Sequence, residues 1–316
     1  MAMNSLIFYL REPFDHIMER AVELFCSKAP EKKDLCERIH YVVTSIIYLI
    51  ASPLSISLFI FAGVLDSVKQ LFSKVTYTNS ESKAPIKECE SIKVLTWNVC
   101  MLFGGLPIPF GGMAPVTKRI IHVAKKIIDT DADLISLQEV SPPAAKRLYD
   151  QLKNSYRYFY TRINPDPFLM LDSGLFIASK VPIANPEVVS IPLAARMKRA
   201  LFTFEANGIK FGTTHLEPGN EPVDQRMRLN QLGKILENKI HVLFGDLNIE
   251  RGTELKESGL KERFLDSFKD TVTTSDNLSI DYILTQRPET ISLIDSEGLS
   301  DHHILTSVLE APELAK

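Results

Sequence analysis

From residue 91 onward, short apolar runs alternate with amphipathic stretches, and several of the apolar runs end in a carboxylate, an amide or an imidazole. Residues 92–99 and 133–137 read as strands. Between them, 117–128 sets Ile120, Ile121, Val123, Ala124, Ile127 and Ile128 on one face of a helix. Ser141 followed by Pro142 is a helix start, with the hydroxyl expected to cap and the proline φ already helical. Further strands are expected at 174–178, 201–205, 209–215, 240–244, 279–284 and 303–309, with a helix at 223–236. Asn207-Gly208 between two of them is a hairpin turn, because both residues accept a positive φ. The pattern is that of an α+β domain with many strands.

Five strand ends carry chemistry: LTWN at Asn98, LISLQE at Glu139, GTTH at His215, VLFGDLN with Asp246 and Asn248, and SDHH with Asp301 and His302. A strand end lets a rigid core fix a side chain while leaving it open to a substrate. Each end alone has an ordinary explanation: an asparagine closing a turn, a solvated glutamate near a helix N-terminus, a Gly-Asp turn. Five together in one domain point to a site that binds hard cations and moves protons. Of the seven histidines, His16, His40, His122 and His241 sit in no motif and are assigned to surface or packing. His303 follows the strand alternation toward the core or the domain edge.

Taken in order, Asn98, Gln138-Glu139, His215, Gly245-Asp246-Leu247-Asn248, Ile280-Asp281-Tyr282 and Ser300-Asp301-His302 resemble the endonuclease/exonuclease/phosphatase (DNase I-like) superfamily. The resemblance spans about residues 91–310. It implies a four-layer α/β/β/α sandwich of two mixed β-sheets with a Mg²⁺ or Mn²⁺ site at its top. It also implies an enzyme that hydrolyses phosphoester bonds. Carried onto this sequence, it makes Glu139 the main metal ligand, with Asn98 and Asp301 close to the ion or its waters. Mg²⁺ suits such a set, since it takes oxygen ligands and keeps several waters. His302 is implied as general base or as donor to a phosphoryl oxygen, with Asp281 fixing its tautomer. Asp246 and Asn248 would orient or deprotonate the attacking water, and His215 would face the scissile phosphate or its leaving oxygen. The choice of base between Asp246 and His302 stays open at this level.

The segments DSGLFIASKVPI (172–183), THLEP (214–218) and IDYIL (280–284) are most similar to the neutral sphingomyelinase-like phosphodiesterases, which act on phospholipid head groups. The inositol-polyphosphate phosphatase branch fits less well, because its Trp-Cys-Asp-Arg signature is replaced by Ser-Ile-Asp-Tyr at 279–282. A nuclease stays open. Arg196, Lys198 and Arg199 cluster before a strand, where they would contact a nucleic-acid backbone, bind a lipid phosphate or form a solvated basic turn. The formal net charge of −3 supplies no general cationic field for nucleic acid, so a lipid substrate is favoured. A catalytically silent, membrane-tethered binding module is the contrasting class. It would be favoured by a missing site residue, and none is missing.

Ahead of this domain, residues 41–65 contain no charged side chain, and about 25 helical residues reach roughly 37 Å, enough to cross a bilayer. Forty residues carrying Arg11, Glu12, Asp15, Glu19 and Arg20 precede the run, which argues for an anchor over a cleaved signal. The flanking lysines and arginines do not decide its topology. The expected organisation is an N-terminal segment at 1–40, a transmembrane helix at 41–65, a linker at 66–90 and the catalytic domain at 91–312. Within the first segment, Phe14, Ile17, Met18, Ala21, Val22 and Phe25 follow a helical spacing, as an amphipathic helix or as packing against neighbouring chain. The loop at 102–113, LFGGLPIPFGGM, places Leu106, Ile108 and Phe110 beside the first strand end, to enter a bilayer or to fold against the domain. The four cysteines, Cys26, Cys36, Cys89 and Cys100, match no zinc or disulfide spacing and read as thiols.

Overall fold

The computed structural model describes residues 77–87, 90–101, 113–165, 172–192, 198–250, 253–266, 271–286 and 290–310, with scattered positions between 10 and 68. Its strands form two mixed sheets. The seven-stranded sheet runs in the order β1 (Thr78–Glu81), β4 (Tyr158–Thr161), β5 (Phe176–Ser179), β3 (Leu134–Val140), β2 (Ser91–Met101), β13 (Ile304–Glu310) and β12 (Thr290–Ile294). The six-stranded sheet runs in the order β10 (Leu265–Asp266), β11 (Asp281–Thr285), β9 (Val242–Asp246), β8 (Ile209–His215), β7 (Ala200–Ala206) and β6 (Ala184–Ser190).

Each sheet has one parallel pair at its centre, β2–β3 in the first and β8–β9 in the second. A parallel pair needs a long crossover. Helix α1 (Val116–Asp129) supplies it for β2–β3, and α3 (Pro222–Leu236) for β8–β9. Helix α2 (Pro142–Leu152) packs with α1 on the outside of the first sheet, while α4 (Thr253–Glu257) and α5 (Leu260–Arg263) follow β9 on the second. The layers are helix, sheet, sheet, helix, with three apolar cores between them.

Strand alternation decides which residues enter which core. Along β2, Leu95, Trp97, Val99 and Met101 face α1 and α2, while Ile92 and Val94 face the other sheet. On that inner face the sequence then turns polar, with Thr96 and Asn98 continuing the same alternation. The other central strands do likewise: Leu134 precedes Ser136 and Gln138, Phe211 precedes Thr213 and His215, and Phe244 precedes Asp246. The space between the sheets is therefore apolar and aromatic at one end and polar at the other. Phe202, Phe204, Phe211 and Phe244 form a chain of ring contacts through the apolar end. In the polar part, Ser136 and Thr213 join the sheets by a 2.6 Å hydroxyl–hydroxyl bond, and Gln138 donates to Thr96 Oγ1 at 3.1 Å. These bonds satisfy groups that would be costly to bury unpaired.

The hairpin at Asn207-Gly208 has the expected geometry, with φ of 50° and 74° and Ala206 paired to Ile209. Other expectations need correction. Residues 78–81, assigned to a linker, form β1, which pairs antiparallel with β4 and is followed by a Lys87–Asp133 ion pair at 2.7 Å. TNSE carries no apolar alternation because β1 is an edge strand held through its backbone. Ser141 precedes α2 as expected, but its hydroxyl makes no capping bond. On α1, Ile121 and Ile128 are exposed. They lie about 100° around the helix from the stripe of Ile120, Val123, Ala124 and Ile127 that reaches the core. Strands β4, β6, β10 and β12 were not anticipated. Among the described residues no helix is long and apolar enough to cross a membrane. Most of the expected span at 41–65, the stretch 14–25, the loop 102–112 and Arg196 lie outside the described residues.

Candidate active site

All eight residues singled out from the sequence lie at the polar end of the sandwich, and they come from both sheets. Asn98, Glu139, Asp301 and His302 belong to the seven-stranded side, and His215, Asp246, Asn248 and Asp281 to the six-stranded side. Asn98 spans the gap, its Nδ2 donating to Glu139 Oε1 at 3.2 Å and to Asp246 Oδ2 at 3.0 Å. His302 spans it a second time, with Nδ1 2.8 Å from Asp281 Oδ2. Asp246 Oδ2 is also met by His215 Nε2 at 3.5 Å and His302 Nε2 at 3.9 Å, while Oδ1 accepts from the Asn248 backbone N–H at 2.9 Å.

Backbone geometry aims these groups. Glu139 holds a φ of 60°, an unfavourable conformation for a side chain of its kind, against Gly174. A Cβ at Gly174 would stand 3.3 Å from the Glu139 nitrogen. Gly245, at φ 137°, lies against β8 so closely that a Cβ would sit 2.0 Å from the Thr214 carbonyl oxygen, so the glycine of GDLN is required for Asp246 to reach His215. The Trp97 indole N–H donates to the His302 carbonyl at 2.9 Å, and Ser300 Oγ donates to the Asn98 carbonyl at 2.7 Å, tying the SDH turn to β2.

The two histidines acquire opposite charge preferences. Burial disfavours the imidazolium at both. At His302 the carboxylates of Asp281, Asp246 and Asp301 override it and hold the ring well above the usual histidine range. At His215 burial is reinforced by the positive charges of Arg199 and His302, so this ring is held neutral. Asp246 is raised by burial and by the charge of Asp281. Glu139 is raised by burial first, with the charge of Asp301 adding to it.

Glu139 and Asp301 are hard oxygen donors close enough to repel one another, one of them in a desolvated setting, and a divalent ion would relieve both effects. Asn98 fits a ligand role less well than expected. Its Oδ1 accepts from the Cys100 N–H at 3.0 Å, so its amide nitrogen is the atom turned toward Glu139. Among the described residues, Asp246, Asp281 and His302 also bring potential ligand atoms within 4.8 Å of one another, but two of these are already joined by the 2.8 Å His302–Asp281 bond.

Two buried arginines escaped the sequence reading. Arg119 of α1 donates to the carbonyls of Ala114, Val99, Leu299 and Cys100, clamping the end of β2 to the turn before Asp301. Its position between Val116 and Ile120 on the core stripe was the available signal. Arg228 of α3 donates to Glu254 Oε1 at 2.6 Å and to the carbonyls of Glu217 and Gly219, fixing the loop after His215.

Two facing sheets bring a carboxylate between two histidines, with further acidic groups beside it, an arrangement chemically suited to proton transfer and to a hard cation. The family comparison gives the particular chemistry. The Endonuclease/Exonuclease/phosphatase family profile matches residues 95–302, and the chain belongs to that family, whose members hydrolyse phosphoester bonds. Solved structures share the fold. An endonuclease/exonuclease/phosphatase from Beutenbergia cavernae is 18% identical over 72% of this chain and 74% of its own, with a TM-score of 0.54. Truncated TDP2 from Caenorhabditis elegans is 20% identical over 70% of this chain and 98% of its own, with a TM-score of 0.51. A functionally unknown conserved protein from Enterococcus faecalis is 18% identical over 69% and 100%, with a TM-score of 0.54. No curated protein sequence matches the chain.

Proposed function

We propose that the chain is a Mg²⁺-dependent phosphodiesterase, and that one observation carries the reading: Asp246 Oδ2 faces a neutral His215 on one side and a cationic His302 on the other. Glu139 and Asp301 would hold the ion, with Asn98 orienting Glu139 through its amide N–H. Bound there, Mg²⁺ would take up charge developing on the phosphoryl oxygens. The bond to Asp281 places the proton of His302 on Nδ1, leaving Nε2–H of the imidazolium to donate to a phosphoryl oxygen. Asp246, its Oδ1 held by the Asn248 N–H, takes the proton from the attacking water with Oδ2. The water oxygen bonds to phosphorus, the bond to the leaving oxygen breaks, and that oxygen regains its proton from solvent. His215, uncharged, acts as a hydrogen-bond donor across the phosphate.

The substrate in this proposal is a phospholipid head group, and residues 41–65 anchor the chain to the membrane that holds it. What supports this is the charge-free run itself and the exposure of Leu54, Ile60, Phe61 and Val64 within it. The similarity of the segments at 172–183, 214–218 and 280–284 to sphingomyelinase-like enzymes adds to it. The test is to incubate the full chain with Mg²⁺ and either sphingomyelin vesicles, phosphoinositide vesicles or plasmid DNA, each with an EDTA control. Release of phosphocholine or another head group, abolished by EDTA, is expected. Cleavage of DNA with intact lipids would overturn the lipid assignment, and EDTA-insensitive turnover would overturn the metal.

A further inference from the structure

The basic cluster before β7 resolves into residues of different kinds. Lys198 is half-buried and donates to the Pro165 carbonyl at 3.3 Å. Arg199 is only 3% exposed. Its backbone is pinned on both sides: Asn164 Nδ2 donates to its carbonyl at 2.9 Å, and the next carbonyl, that of Ala200, accepts from Thr214 Oγ1 at 2.8 Å, beside His215. The guanidinium has no comparable satisfaction. Nε and Nη1 are buried with no hydrogen-bond acceptor among the described residues, and the nearest carboxylate oxygen, Glu217 Oε2, is 3.9 Å from Nε, too far for a hydrogen bond. Buried cations with unmade hydrogen bonds are costly, and such cost concentrates where a ligand completes the site. Arg199 begins the approach to β7, whose Leu201 pairs with Thr214 next to His215, and its charge is felt at His215, Glu139 and Asp246, so it lies within electrostatic reach of the site.

We infer that Arg199, backed by Glu217, is a built anion subsite whose unpaired N–H groups bind an anionic oxygen of the substrate's phosphoryl group. Planar guanidinium groups suit this task because their forked donors match phosphate geometry. Glu217 keeps the cation in place without consuming its donors. The inference rests on the phosphoester-hydrolase reading.

The test uses the full chain with Mg²⁺, bis(4-nitrophenyl) phosphate as substrate and inorganic phosphate as probe, on wild type, Arg199→Gln, Arg199→Lys and the double variant Arg199→Gln/Glu217→Gln. Arg199→Gln is expected to lower kcat/KM about 100-fold, the scale set by loss of one preorganised donor to a developing oxyanion. It should also abolish phosphate binding measured by calorimetry, with Arg199→Lys recovering part of both. Wild-type kcat/KM and phosphate affinity in folded Arg199→Gln would overturn the subsite. If the single variant melts early, the double variant, which removes the Glu217 charge together with that of Arg199, decides. Full activity and phosphate binding there overturn the inference, and loss of both at an unchanged Tm supports it. If wild type fails to cleave the diester, the functional reading fails, while calorimetric loss of phosphate binding in Arg199→Gln still supports the subsite and equal binding still overturns it.

Discussion

His215 and His302 approach the same oxygen of Asp246 from opposite sides, yet the protein treats them as different residues. The six-stranded sheet delivers His215 into a buried setting beside Arg199, where a proton is disfavoured. The turn before β13 on the seven-stranded side delivers His302 into a ring of three carboxylates, where a proton is retained. The comparison teaches that at this site the role of an imidazole follows from the sign of the charges around it more than from burial, which is nearly complete for both. In the proposed mechanism, a neutral donor and a cationic donor on either side of one carboxylate would let a single centre serve both nucleophile and phosphoryl oxygens.

The largest effect expected from breaking this arrangement is on turnover. His302→Ala should lower kcat by about 10²–10³-fold, the range for loss of a preorganised donor to charge developing on a phosphoryl oxygen, whereas His215→Ala, which removes only a neutral donor, should cost about tenfold to a hundredfold. Steady-state kinetics on a chromogenic diester, with circular dichroism to verify folding, would reveal whether the two histidines differ as described. Equal losses would erase the distinction.

A smaller effect, on pH dependence, comes from Asp281→Asn. The folded-state pKa of His302 is raised above its unfolded value. The stability this proton contributes is therefore fully present below the unfolded pKa and is lost as pH rises through the folded one. Removing the Asp281 charge lowers the folded pKa. The basic limb of the pH–rate profile should move to lower pH, and melting curves should show the variant losing stability at a lower pH than wild type. An unmoved basic limb would mean that His302 is not the group whose proton is needed.

The smallest expected effect is on stability, and it contrasts the acidic groups of the seven-stranded side with the histidines. Glu139 has its folded pKa raised by burial, so its ionisation penalises the fold above the unfolded pKa and ceases to do so as pH falls. Glu139→Gln, expected to be inactive as a hydrolase, should melt slightly above wild type at neutral pH in EDTA. The difference should vanish in acid and reverse when Mg²⁺ is added, since an ion held at the proposed site would stabilise only the wild type. Differential scanning calorimetry checks this. A variant that melts below wild type in EDTA would show that Glu139 is satisfied without a cation.

Much of this site was legible along the chain because strands encode their faces locally. The alternation that sends Ile92 and Val94 inward also sends Thr96 and Asn98 inward, and the same rule carries Phe211 to His215 and Phe244 to Asp246. The motif order at Asn98, Glu139, His215, Asp246 and His302 is written along the chain and points to the family by itself. Less legible were the edge strand β1, whose TNSE residues need only backbone pairing, and the exposed flank of α1 at Ile121 and Ile128, which an apolar count cannot separate from the core stripe.

The sequence by itself determined which side chains stand at the strand ends, because period-two alternation and glycine placement act over a few neighbouring residues. The tertiary structure alone decided what those side chains became. Asn98 turned its nitrogen to Glu139 because Cys100 took its oxygen, Arg199 was buried with donors unmade, and the two histidines were pushed to opposite charge preferences. Those outcomes depend on polar and charged groups brought together from positions such as 98 and 246 or 281 and 302, and hydrogen bonds, Coulomb interactions and desolvation are set by distances in space that no local pattern records.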